Sequence, residues 1–132
     1  MNRTHRIRWS ECDPYGHMNH AAYLTLFEDL RVAHWAHLTG QPIAATRPGP
    51  VIAQLEIRYL RPVTFDDTVD LTCQVSSFRN TSYVQDYTLS KDGTPCCTAR
   101  AICVVTRQDT GAKVPLTDAW RQALVAEGAV AG

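Results

Sequence analysis

NHAAYLTLFEDLRVAHWAHL, residues 19–38, is the stretch that decides the fold. Tyr23, Leu26, Phe27, Leu30 and Ala33 share one helical face, Asn19 stands where an N-cap belongs, and Gly40 and Pro42 close the segment. Ala22, Val32, Trp35, Ala36 and Leu38 widen the apolar stripe beyond that of an ordinary surface helix, leaving Thr25, Glu28, Asp29 and Arg31 as the main polar positions. A helix this apolar requires wrapping. At 1.5 Å per residue it would be about 30 Å long, which matches the width of a small sheet.

The wrapping is predicted downstream. Val51, Ala53, Leu55, Ile57 and Tyr59 alternate with Ile52, Gln54, Glu56, Arg58 and Leu60, so the first set is expected to face the core until Pro62 ends the strand. Val69, Leu71, Cys73 and Val75 interleave with Thr68, Asp70, Thr72, Gln74 and Ser76. Strands at 82–90 and 95–107 follow, separated by the turn signals Arg79-Asn80-Thr81 and Asp92-Gly93. A short first strand is expected at 5–9, with Ile7 and Trp9 on its dry side, and a final helix capped by Thr117 or Asp118. The pattern is β-α-β-β-β-β-α: an α+β chain in which one long helix packs on a curved antiparallel sheet.

Composition narrows the function. The 132 residues carry 13 Lys plus Arg against 13 Asp plus Glu, so bulk electrostatics offers nothing to a polyanion, and no nucleic-acid partner is expected. Residues are 45% hydrophobic and 20% charged, the balance of one packed domain spanning 1–132. The longest apolar run, from Ala101 to Val105, is far short of the roughly 20 residues that cross a bilayer, so a cytoplasmic protein with no membrane partner is expected. Five cysteines without C-x-x-C spacing predict reduced, packed thiols rather than a disulfide scaffold or zinc ribbon.

Reactive side chains concentrate in Glu11-Cys12-Asp13-Pro14-Tyr15-Gly16-His17-Met18-Asn19-His20, where the first strand meets the helix. Asp, Pro and Gly at the first, second and fourth positions of 13–16 form a turn signature. A helix start presents unpaired N–H groups and about half a positive charge, which can hold an oxyanion. Asp13 beside it can serve as general base or nucleophile, or it can satisfy its own turn as an Asx residue. One carboxylate with an oxyanion hole suffices for a thioester, because a thiol of pKa about 8.5 leaves unprotonated at neutral pH, whereas an amide nitrogen needs an acid.

Several competing readings arise from the same residues. His17 and His20 lie three apart near Cys12 and Asp13, but the H-E-x-x-H arrangement is missing and no metal is expected. His17 can orient Asp13 or a water, or bond the turn backbone. A Cys12-His17-Asp13 triad is conceivable, and Glu28 would be a second carboxylate if it faced the same cleft.

The run from Asp13 through Gly16, His17 and Asn19 to Tyr23 closely resembles the D-x-x-G-H-x-N-x-x-x-Y segment of hotdog-fold acyl-CoA thioesterases related to 4-hydroxybenzoyl-CoA thioesterase. Tyr59-Leu-Arg-Pro62 through Asp67 resembles that family's Y-x-x-P-x-x-x-x-D stretch, and residues 115–124 its C-terminal helix, so the likeness covers about residues 4–125. The resemblance implies a hotdog fold, a five-stranded sheet around the long helix. It implies a homodimer at minimum, with homotetramers frequent, and active sites at the subunit interface. It implies catalysis by Asp13 with His17 and His20, the latter through its backbone N–H, and substrate contacts from Gly16, Asn19, Tyr23 and Gly49. The expected substrate is an acyl-CoA or an acyl carrier protein thioester, with no cofactor. A non-catalytic acyl-binding protein of the same fold is the alternative.

Overall fold

The structure is a computed structural model describing residues 1–132. Its elements run β1 (Asn2–Arg6), a 3-10 turn (Trp9–Glu11), α1 (His20–Thr39), β2 (Gly49–Tyr59), β3 (Thr68–Phe78), β4 (Ser82–Lys91), β5 (Thr94–Thr106), α2 (Asp118–Ala126) and β6 (Val130–Ala131). The sheet order is β1-β3-β4-β5-β2, every one of these pairs antiparallel, with β6 added in parallel to the end of β3. The α+β hotdog architecture expected from the sequence is the one observed.

Local chemistry sets α1. The Asn19 side-chain oxygen accepts from the Ala21 N–H at 2.9 Å, relieving one of the amides a helix start leaves unpaired. Gly40 ends the helix in the left-handed conformation, φ 71°, which a glycine adopts without a Cβ penalty. Between them Tyr23, Leu26, Phe27, Leu30, Trp35 and Leu38 are buried against Val69, Leu71, Cys73 and Val75 of β3 and the inner faces of β4 and β5. Phe27 stacks on Tyr87 and Trp35 on Tyr83, with Trp120 of α2 edge-on to Trp35 at 5.1 Å. The α2 N-cap is Thr117, whose hydroxyl oxygen accepts from the Trp120 N–H.

The core also contains a polar line that the pattern of apolar residues does not announce. Gln85 is fully buried on β4, its Oε1 accepting from the Tyr87 hydroxyl at 2.7 Å, and Arg31 donates to the same hydroxyl at 3.1 Å. Burial raises the Tyr87 phenol above its ordinary range, so it stays a neutral donor.

Four expectations need correction. β1 is Asn2–Arg6 rather than 5–9: it pairs residue by residue with Thr68–Thr72, and the chain turns away at the 3-10 segment. Ile7 is buried as expected, but Trp9 lies in that turn and is 60% exposed. In β2 the inward set is also different. The register skips Ala53, a β-bulge that reverses the pleat, so Pro50 and Ile52 share the helix-side face of Val105 and Cys103, and Leu55, Ile57 and Tyr59 that of Ala101, Ala99 and Cys97. Val51 and Ala53 therefore do not face the core. Finally, β6 makes a sixth strand beyond the expected five. The hairpin at Asp92-Gly93 is as expected, both residues having positive φ, the geometry of a two-residue loop that follows strand twist.

Candidate active site

The Asp13–Gly16 turn forms because one side chain organises it. Asp13 Oδ1 accepts from the N–H groups of Tyr15, at 2.9 Å, and His17, at 3.2 Å, while Gly16 N–H donates to the Asp13 carbonyl at 3.0 Å. Gly16 has φ 81°, a value that favours glycine. The Asx reading is thus satisfied by one carboxylate oxygen. The other, Oδ2, makes no hydrogen bond, so the Asx turn holds the carboxylate in place without consuming it.

The turn is tied to its surroundings on both sides. Asn19 N–H donates to the Glu11 carbonyl, Met18 N–H to Val63, and Phe65 N–H to Gly16, at 2.7, 2.7 and 2.9 Å. The Glu11 carboxylate accepts from the Arg8 N–H and His5 Nε2, each at 2.8 Å. Its pKa is lowered: burial opposes the charge, but the Arg8 amide and the His5 ring more than offset it. Asp67 behaves similarly, burial being outweighed by Lys91 and the Thr64 amide and hydroxyl.

Asp13, His17, His20 and Tyr23 line one open cavity of about 370 Å³, joined by Tyr59 and Arg61 from the end of β2 and the segment after it. His20 is the first residue of α1. Its backbone N–H has no partner, since the Asn19 cap serves Ala21 and the next helical turn begins at Ala22. Its carbonyl accepts the Tyr59 hydroxyl at 2.8 Å, and the Tyr59 ring meets Tyr23 edge-on at 5.1 Å. Burial pushes the Tyr23 phenol up to about 12, so it is an uncharged wall. The two largest cavities, about 580 Å³ between residues 45–48 and 107–109 and about 480 Å³ beside His34 and Glu127, have no helix start beside a carboxylate.

Of the expected site residues, Gly16 and Asn19 shape the turn and cap rather than line the cavity. Gly49 lies at the opposite end of β2 from Tyr59, its carbonyl accepting from Gln108 Nε2 at 3.4 Å. Glu28 is exposed and outside the cavity. Cys12 points to the Arg8 carbonyl, and burial with the neighbouring Asp13 and Glu11 charges pushes its thiol up, which opposes a thiolate nucleophile. No group of three or more His, Cys, Asp or Glu side chains has metal-binding geometry. Tyr59 and Arg61 were not among the expected site residues. The signal was present in the Tyr59-Leu-Arg-Pro62 motif, but strand alternation gave only the face of Tyr59, the helix side, and not that at the end of β2 it is 46% exposed.

Comparison with known proteins identifies the family. The chain is 26% identical over 120 residues to the uncharacterized protein YsmA of Bacillus subtilis, covering 90% of this chain and 81% of that protein. It is 27% identical over 81 residues to the acyl-CoA thioester hydrolase YbgC of Escherichia coli, a match spanning 60% of each chain. A crystal structure of a thioesterase superfamily protein from Jannaschia sp. CCS1 superposes with a TM-score of 0.89 at 27% identity, covering 99% of this chain and 85% of that one. The family model of the thioesterase-like superfamily matches residues 7–124. The chain therefore belongs to the thioesterase-like superfamily and is a hotdog-fold thioester hydrolase.

Proposed function

We propose that the protein hydrolyses acyl-CoA thioesters to the free acid and coenzyme A, with Asp13 as base or nucleophile and the His20 N–H as oxyanion donor. The observation that supports this most is that Asp13, with one unbonded carboxylate oxygen, and His20, whose helix-start amide has no acceptor, both line a single cavity. In the reaction, a water oxygen deprotonated by Asp13, or the Asp13 carboxylate itself, bonds to the thioester carbonyl carbon. The carbonyl oxygen takes up negative charge toward the His20 amide and the positive end of α1. The C–S bond then breaks and its electron pair leaves on sulfur, which needs no protonation at neutral pH. On the nucleophile path the one water of the reaction enters here, cleaving the mixed anhydride on Asp13 to release the acid and restore the carboxylate. His17 is an orienting residue, since its own amide holds Asp13 Oδ1.

The reading includes a homodimer at minimum, and a homotetramer of two such dimers. β2 is an edge strand with an open row of backbone groups, flanked by exposed Val51, Ile52 and Leu60, the kind of edge that pairs with another strand. Antiparallel pairing with a second copy would carry that copy's residue 49 toward the Tyr59 end, which brings Gly49 to the site as a backbone contact.

The test is free-thiol release from a panel of acyl-CoA and acyl carrier protein thioesters, by a preparation whose mass in solution is measured. Asp13→Asn is expected to lose about 10²-fold or more in kcat with KM nearly unchanged, while Glu28→Gln stays within about twofold of wild type. Equal turnover by Asp13→Asn removes the catalytic assignment, and no thiol release from any substrate favours an acyl-binding protein.

A further inference from the structure

Next to the Asp13 turn, Trp9 and Phe65 form an exposed aromatic corner, their rings perpendicular with centroids 5.4 Å apart. They are 60% and 48% exposed, in a chain whose other two tryptophans are packed together on α1 and α2. Neither ring contributes to the core. The corner lines an open cavity of about 440 Å³ that also contains Arg6, Arg8 and Asp66. Arg6 is paired with Asp66, whereas Arg8 is 72% exposed and reaches Glu11 only at 3.8 Å, leaving a guanidinium with donors to spare.

The corner is joined to the candidate site through the backbone. Phe65 N–H is bonded to the Gly16 carbonyl, and the neighbouring Thr64 bridges to His17. Trp9 precedes Asp13 by four residues, so their Cα atoms are no more than about 14 Å apart. Arg61 lies on the Asp13 cavity and makes no ion pair. The two cavities thus lie on neighbouring segments, one lined by Arg61 and the other by Arg8 with the two aromatic rings.

We propose that the Trp9–Phe65 corner binds the nucleotide end of coenzyme A, the adenine stacking on an aromatic face and the phosphates meeting Arg8. The inference rests on the thioester reading above. It adds where the part of the substrate farthest from the reacting carbonyl is held. The chemistry fits this occupant: a flat purine suits an exposed π-face, and its phosphate charges suit a cavity rim with two arginines against one aspartate. The pantetheine arm is long enough to connect the corner with a carbonyl at Asp13.

Direct binding tests it without requiring turnover. Calorimetry with adenosine 3′,5′-bisphosphate should show binding to the wild-type protein, about tenfold weaker binding to Trp9→Ala, and recovery to within about threefold of wild type in Trp9→Phe, which retains a π-face. With active protein, Trp9→Ala should raise KM about tenfold for an acyl-CoA but less than twofold for the corresponding acyl-N-acetylcysteamine thioester, which lacks the nucleotide, at unchanged kcat. No binding of the bisphosphate to wild type, or equal affinity in Trp9→Ala, overturns the proposal. So does an equal loss on both thioesters accompanied by a smaller assembly in sedimentation, which would assign the corner to contact between copies. Failure of the thioester reading would appear separately, as nucleotide binding with no thiol release.

Discussion

The two ends of α1 are built for opposite purposes. At the C-terminal end packing dominates: Trp35 is wedged between Tyr83 and Trp120, the Thr39 hydroxyl donates to the Trp35 carbonyl, and His34, buried at 2% exposure, bonds Glu127 through Nε2 at 2.7 Å, while its Nδ1 and the Tyr83 hydroxyl are enclosed without a partner. At the N-terminal end groups are left unspent. The His20 amide has no acceptor, Asp13 has a bare oxygen, and His17, His20 and Tyr59 are exposed. Backbone and carboxylate polarity left unsatisfied is costly in a core and useful in a site, because a substrate can complete it. One helix therefore anchors the fold with its last turns and addresses a ligand with its first.

The largest test of this contrast is Trp35→Ala. Removing a buried tryptophan with two aromatic neighbours is expected to cost about 3–5 kcal/mol, a large share of the roughly 5–15 kcal/mol typical of a domain, measured by urea unfolding. The residual folded fraction should keep the kcat of wild type, since the lost contacts are at the far end from Asp13. A selective loss of kcat in folded protein would break the division.

Asn19→Ala acts at the other end and should do both kinds of damage. Loss of the cap costs about 1 kcal/mol of stability and leaves the Ala21 amide free to compete with His20 for an acceptor. A fall in kcat of several-fold with little change in KM is expected, separable from unfolding by chemical denaturation of the same sample. If stability falls and kcat does not, cap and site are uncoupled.

The smallest effect is a pH dependence confined to the N-terminal end. The folded-state pKa of Glu11 lies below its ordinary value of 4.5, so the carboxylate contributes stability above that value and loses it as pH falls through the lowered one. Glu11→Gln should reduce the melting temperature by about 2–4 °C at pH 7, the difference shrinking below about pH 4. A difference that persists unchanged at pH 3 would show that packing, not charge, is what Glu11 supplies.

The sequence carried much of this end of the molecule, because the turn and the cap are local. Asp13 to Gly16 and Asn19 to Ala21 are contacts between residues two to four apart, and residue type alone predicts them. Tyr59 and Arg61 were overlooked as site residues because their proximity to His20 spans about forty residues and follows from the β2 register. The same register explains the misread inner face of β2: alternation counts residues, and a bulge at Ala53 adds one without changing the hydrophobic pattern.

What the sequence determined by itself was the set of elements: an apolar helix with defined caps, strands of clean two-residue period, and a carboxylate in a turn beside the helix start. These depend on backbone sterics and on side chains a few positions apart. Only the tertiary structure decided that β2 lies at an edge, that Trp9 faces solvent, and that the end of β2 closes over the start of α1. Those facts are pairings between distant segments, fixed by which faces the whole chain can bury at once, and no local window contains that information.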